Sequence, residues 1–240
     1  MRRALVTGGG SPIGAAIAHA LAAQGAHVLV HGHANPARAE AVAAAIRAGG
    51  GSAEAVAFDL TEAAATAAAA ERLLEDGPVQ ILVHNAGAHD DAPMAGMSAA
   101  QWRHVIAVSL DGFFHVARPL LLPMIGTRWG RIVAMSSLSA IMGNRGQANY
   151  AAAKAGLIGA VRALSLECAP RGVTVNAVAP GIIESPAVEA AGLTRERIAK
   201  MVPARRAGRP EEVAELVAFL ASDRAGYITG QCISINGGLA

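Results

Sequence analysis

The chain predicts an α/β domain built on a doubly wound parallel sheet of about seven strands, with helices on both faces. Three observations carry this. Short apolar runs alternate with longer Ala-rich segments at least six times. The runs are apolar on both faces, as strands covered by helices on each side must be. The first run also turns through three glycines directly into a helix. The 240 residues hold no linker, low-complexity block or repeat period, so a single domain is expected.

The elements follow in order. Ala4–Thr7 is the first strand, and Gly14–Gln24 a helix with Ile17 and Leu21 on one face. Val28–Val30 is a strand. Pro36–Ala48 is a helix opened by Asn35 as cap and Pro36 in the first turn. Val56–Phe58 reads as the third strand, followed by a helix at Ala63–Leu74 capped by Thr61. Gln80–His84 is a strand, and Ser98–Pro119 one helix with Ser98 as its cap. Gly130–Ser136, Val173–Val178 and Gln231–Ile235 complete the strands. Helices at Asn149–Arg171 and Pro210–Ala221 lie between them. Ile182–Ala207 has weak periodicity, two prolines and Gly192; it reads as a mobile helical excursion of the same domain.

Composition excludes several classes. The 20 basic and 18 acidic residues leave +2, with no basic block, and aromatics are 3%. Neither a phosphate-tracking groove nor a base-stacking surface is expected, so nucleic acid is not a partner. No apolar run reaches the ~20 residues of a membrane span, and Met1-Arg2-Arg3 opens no signal peptide. Cys168 and Cys232 form no motif and read as reduced, in keeping with a cytoplasmic protein. The eight histidines show no metal-ligand pairing.

Thr7-Gly8-Gly9-Gly10-Ser11-Pro12-Ile13-Gly14 lies between the first strand and the first helix. Backbone N–H groups and the helix N-terminus there favour an anion, and the glycines allow its close approach. No Gly-Lys-Ser/Thr follows, so this is not an ATP or GTP loop. An acidic residue about 20 positions on would bond the ribose hydroxyls of NAD. The chain has His31, His33 and, nearby, Arg38 instead, which favours the 2′-phosphate of NADP.

Tyr150 and Lys154 are four apart on one helix and face the same way. Lys154 is one of only two lysines. Ser137 lies just past a strand end, where parallel sheets bind ligands. A phenol of pKa ~10 is a weak acid, and an adjacent ammonium brings it toward working pH. Ser137 would hold a substrate oxygen while Tyr150 donates a proton to it.

These residues resemble the short-chain dehydrogenase/reductase family over essentially the whole chain. The matching pieces are Thr7-Gly8…Gly14, Asp59-Leu60, Asn85-Ala86-Gly87, Ser137, Tyr150…Lys154, Asn176 and Pro180-Gly181. The nearest likeness is to the β-ketoacyl-acyl-carrier-protein reductases, through Met142–Tyr150, Arg171–Asn176 and Tyr227–Gly238. The resemblance implies a Rossmann fold, a nicotinamide cofactor and a homo-oligomer, dimer or tetramer, or pairing with a homologous chain. It implies NADPH and a 3-oxoacyl group on acyl-carrier protein. Gly8, Gly10, Ser11, Pro12, Ile13 and Gly14 then hold phosphate, and Asp59 and Leu60 adenine. Asn85, Ala86 and Gly87 lie along the ribose. Lys154 holds the nicotinamide ribose, and Pro180, Gly181, Ile183 and Ser185 flank the carboxamide. Arg128 and Arg171 match positions that dock the carrier protein.

The chain departs from the family pattern at two places. Pro12 replaces a glycine, which removes one phosphate donor, and Ser11 stands where NADP enzymes often have arginine. Ser109 replaces a fourth active-site residue, an asparagine that bends a helix and holds a proton-relaying water. The same machinery acting on acetoacetyl-CoA, a sugar or a cyclic alcohol is the alternative. A dinucleotide-binding subunit without turnover is a third reading, opposed by the intact Ser137, Tyr150 and Lys154.

Overall fold

A computed structural model describes all residues 1–240. Its centre is one seven-stranded sheet in the order β3-β2-β1-β4-β5-β6-β7, every pairing parallel. The strands are β1 Arg3–Thr7, β2 His27–His31, β3 Ser52–Val56, β4 Ile81–His84, β5 Gly130–Met135, β6 Val173–Pro180 and β7 Cys232–Ile235. The helices are α1 Pro12–Ala23, α2 Pro36–Ala48, α3 Ala63–Glu75, α4 Ala99–Ile106, α5 Gly112–Gly126, α6 Ser139–Met142, α7 Ala148–Cys168, α8 Pro186–Ala190, α9 Arg195–Met201 and α10 Pro210–Leu220.

The buried strands need apolar residues on both faces, and two separate cores result. Val6, Val28 and Val83 point to one face, against Ile17 and Leu21 of α1 and Val213 and Val217 of α10. Leu5, Leu82 and Ile132 point to the other, against Phe113 and Leu120 of α5 and Leu157 and Val161 of α7. Each such side chain contributes roughly 1.5–3 kcal/mol by leaving water. Strand order reverses between β1 and β4, and that switch point opens the crevice in which such sheets bind ligands.

Four expectations are corrected. The third strand is Ser52–Val56, and Ala57–Asp59 lies beyond it. This edge strand pairs only with β2, so it tolerates the polar Ser52 and Glu54 and lacks an apolar-run signal. Thr61 does not cap α3: its N–H and hydroxyl both bond Asp59, and the cap position falls on Glu62 with no side-chain cap bond. The helix expected at Ser98–Pro119 is α4 and α5 joined by one wide π turn at Ala107–Asp111. It runs through Pro119 to Gly126, because burial of Leu120 and Met124 outweighs the bond each proline forfeits. Finally, Ala99–Gly126 is long and apolar enough to cross a membrane, contrary to the sequence reading. In the fold this stretch supplies Val105, Phe113, Val116 and Leu120 to the core.

Residues 182–207 form α8 and α9 with a small core of their own, Ile198, Val202 and Ala207. The backbone bridge of Ile183 to Gly208, and the bond from Ala204 N–H to the Gly237 carbonyl, tie the excursion to the domain.

Candidate active site

Two cavities meet at the sheet's switch point. One, of about 560 Å³, is lined by Ser137, Tyr150, Lys154, Ile183 and Ser185. The other, of about 530 Å³, is lined by Gly8, Ser11, His31, His33, Asp59 and Leu60. Asn85 and Gly87 line both, so the two form one trough across the carboxyl ends of β1, β4 and β5. An elongated ligand with a phosphate at its waist fits this shape.

The glycine loop is built for that waist. A Cβ on Gly14 would collide with the carbonyl of Gly8, and one on Gly10 with Arg38. Pro12 occupies the first turn of α1, where its missing N–H leaves no helical bond unmade. Ser11 is the helix cap; its hydroxyl accepts from Gly14 N–H and from the Asn85 amide. Gly8 and Gly9 give their N–H groups to His31. The N–H groups of Gly10 and Ile13, at the helix N-terminus, have no protein partner and could hold an anion. The proline has thus narrowed the phosphate donors rather than abolished them.

His31 is buried, only 2% exposed. Its Nδ1 accepts the Gly8 N–H at 3.3 Å, so Nε2 carries the proton, donated to the Phe58 carbonyl at 2.9 Å. Burial lowers its pKa, so the ring is a neutral strut and brings no charge to a 2′-phosphate. His33 stays exposed beside Asp59, at 3.4 Å. Arg38 touches the loop at Gly10, and β2 ends without a carboxylate.

Ser137 sits just past the end of β5, and α7 brings Tyr150 and Lys154 to the same cavity. The Ser137 hydroxyl bonds the phenol and favours its ionised form, but burial outweighs that bond and Asp91 adds to burial. The phenol is therefore held above its usual value, and the expected lowering by the lysine is not seen in this arrangement. Lys154 is 3% exposed, with Nζ 5.7 Å from the Tyr150 ring centroid. It donates to the Met135 carbonyl at 2.8 Å, and burial lowers its pKa to about 8. Ser109 is fully buried within the π turn, where its hydroxyl accepts from Ala88 N–H at 3.3 Å.

His89 escaped the sequence reading. Its ring stacks on Tyr150 at 4.0 Å, in the cavity of Ser137 and Lys154. Its position two residues after Asn85-Ala86-Gly87, at a strand's carboxyl end, was the available signal. Val188 and Leu193, from the excursion, form the apolar wall opposite.

Arg128 and Arg171 do not join this site. Arg128 precedes β5 and Arg171 precedes β6, both at the amino edge of the sheet. Ser137, Tyr150 and Lys154 lie at the carboxyl edge, one strand length of roughly 20 Å away. The two arginines do neighbour each other, since Gly130 N–H bonds the Gly172 carbonyl.

A family model described as Enoyl-(Acyl carrier protein) reductase matches residues 8–240. The chain is 43% identical over 240 residues to a 3-oxoacyl-acyl-carrier-protein reductase of Aggregatibacter actinomycetemcomitans, covering 98% of each chain. The corresponding reductase of Escherichia coli is 43% identical over 98% of this chain and 96% of its own. The chain belongs to the short-chain dehydrogenase/reductase family. An acetoacetyl-CoA reductase of Rhizobium meliloti is 44% identical over 99% of this chain and 98% of its own. The cofactor of the short-chain dehydrogenase/reductases is a nicotinamide dinucleotide, which the trough and its glycine cradle fit.

Proposed function

We propose that this chain is an NADPH-dependent reductase that converts a 3-oxoacyl thioester to the 3-hydroxyacyl thioester, with acyl-carrier protein as the carrier, in the cytoplasm. One observation carries the reading. Ser137, Tyr150 and Lys154 converge on a cavity continuous with a dinucleotide-shaped trough, in a chain 43% identical end to end to 3-oxoacyl reductases. The family description names enoyl reduction, whereas these full-length relatives are named for reducing a ketone.

The geometry supports the following roles. Ser137 holds the substrate's ketone oxygen, and Tyr150 gives that oxygen its proton. When bound, the dinucleotide supplies the hydride to the carbon. Lys154, as the one cation buried beside the phenol, stabilises the phenolate left behind. Gly10 and Ile13 hold the diphosphate, Asp59 the adenine, and His33 with Arg38 the 2′-phosphate. The excursion at 182–207 covers the acyl chain with Val188 and Leu193.

The arginine placement supports carrier docking between protomers. Arg128 and Arg171 lie at the far edge of the sheet from the site of their own chain, and in a homo-oligomer they would serve a neighbour's. An exposed apolar face supports such an assembly: Phe114, Leu122 and Leu166 are open beside a groove lined by α5 and α7. Arg128→Glu with Arg171→Glu is expected to raise KM for acetoacetyl-acyl-carrier protein roughly tenfold and leave acetoacetyl-CoA unchanged. Equal effects on both substrates would remove the docking role.

The acetoacetyl-CoA reductase relative favours a second reading, in which coenzyme A carries the substrate. The discriminating assay is NADPH consumption with acetoacetyl-acyl-carrier protein and acetoacetyl-CoA at equal concentration. Preference for the former supports the proposal, preference for the latter the alternative, and consumption with neither refutes both.

A further inference from the structure

His89 lines the catalytic cavity, and none of the roles above uses it. The chain that follows it is fixed from two sides. The Asp90 carboxylate accepts the Gln101 amide at 2.7 Å, and the Asp90 carbonyl accepts the Asn149 amide at 2.9 Å. The Asp91 carboxylate accepts the Gln147 amide at 2.7 Å, and Ala92 N–H donates to the Gly146 carbonyl at 2.9 Å. The ring itself bonds no protein group. Its contact is the stack on Tyr150, with centres 4.0 Å apart and planes 30° apart. A ring held in place by its neighbours and bare at both nitrogens has its hydrogen bonds free for a molecule that enters the cavity.

The ring's chemistry narrows what that molecule presents. Partial burial lowers the pKa of His89; Asp91 opposes this and Lys154 adds to it. A neutral imidazole donates from one nitrogen only. The polar groups beside it are poor substitutes. Gln147 is used at both ends, its amide by Asp91 and its oxygen by the Ser139 hydroxyl and the Asn144 amide. Asp91 is a carboxylate and repels a carbonyl oxygen. Val188 and Leu193, on the opposite wall, offer no donor. A 3-oxoacyl thioester brings two oxygens into this space, roughly 3–5 Å apart across one methylene. The stack sets the imidazole beside the phenol at a matching spacing of 4.0 Å.

We infer that His89 is a specificity-determining residue: its imidazole N–H binds the thioester carbonyl oxygen of the substrate while Ser137 and Tyr150 hold the ketone oxygen. The inference rests on the reductase reading of the same site. No bond is made or broken at His89. It gives the substrate a single orientation, with the carrier arm on the His89 side and the alkyl end against Val188 and Leu193. That orientation decides which face of the ketone meets the hydride. A ketone without a second carbonyl gains nothing from His89.

The test compares acetoacetyl N-acetylcysteamine thioester with the matching thioether ketone, in which CH₂ replaces the thioester carbonyl. His89→Phe keeps a ring on Tyr150 and loses the donor. It is expected to lower the ratio of kcat/KM for the thioester to kcat/KM for the thioether ketone about tenfold, the worth of one hydrogen bond. The 3-hydroxybutyryl product is expected to lose enantiomeric purity. His89→Gln, which has a donor and no ring, should stay closer to the wild-type ratio than His89→Phe. In ¹⁵N-histidine spectra of the NADP⁺ complex, the thioester is expected to shift the His89 N–H signal more than the thioether ketone does. A wild-type ratio and product purity in His89→Phe overturn the inference alone, as do equal His89 shifts with the two ligands. A wild-type protein that binds NADPH and reduces no 3-oxoacyl thioester overturns the reductase reading, and the inference with it.

Discussion

Tyr150→Phe is expected to lower turnover by about 10²–10⁴-fold while NADPH binding is retained. Phenylalanine keeps the volume of the ring, its burial and its stack on His89 at 4.0 Å. Only the hydroxyl is lost, and with it the proton for the substrate oxygen. Ser137 loses its phenol partner but stays anchored, since its Oγ also accepts the Ser139 N–H at 3.1 Å. Steady-state rates with acetoacetyl thioester, beside fluorescence titration with NADPH, separate chemistry from binding. Retention of more than a tenth of the activity would remove Tyr150 from the role of acid, and His89 would be the next residue to examine.

Lys154→Met is expected to abolish turnover and yet stabilise the fold. The lysine is buried, and its pKa falls from 10.5 to about 8 because burial penalises the ammonium. At neutral pH that corresponds to about 3 kcal/mol against folding. Methionine has a similar shape and no charge to desolvate. Loss of the bond to the Met135 carbonyl offsets part of the gain, leaving about 1–2 kcal/mol. The sign follows from linkage. The unfolded chain binds the lysine proton more tightly than the folded chain, so the penalty is complete below pH 8. It fades as pH rises from about 8 to 10.5. Urea unfolding at pH 7 and at pH 10 should therefore show a larger advantage for the methionine variant at pH 7. A lysine that served only the fold would give a variant less stable at pH 7.

The sheet was legible because a parallel α/β fold writes itself locally. The inner strands are largely apolar on both faces, and most turns into a helix carry a glycine, proline or cap. The third strand was misplaced because an edge strand buries little, and Ser52 and Glu54 hide its pattern. The π turn was illegible because nothing between Ala107 and Asp111 demands it; His84, 25 residues away, bonds it from the sheet. Tyr150 and Lys154 were legible because helical spacing alone puts them on one face. The buried setting of His31 was illegible because Gly8 and Phe58, which meet its two nitrogens, come together only in the folded chain. The separation of Arg128 and Arg171 from the catalytic set was readable in principle. Both precede a strand, and in a parallel sheet residues before strands and residues after them lie at opposite edges.

The most direct test of the account follows the hydride. The protein is supplied with NADPH deuterated at the transferable nicotinamide position and with acetoacetyl thioester on acyl-carrier protein, and the product is analysed by mass spectrometry. The account predicts one deuterium at C3 of a 3-hydroxybutyryl thioester, one label per NADPH consumed. NADPH bound in the trough with no labelled hydroxyacyl product would contradict it.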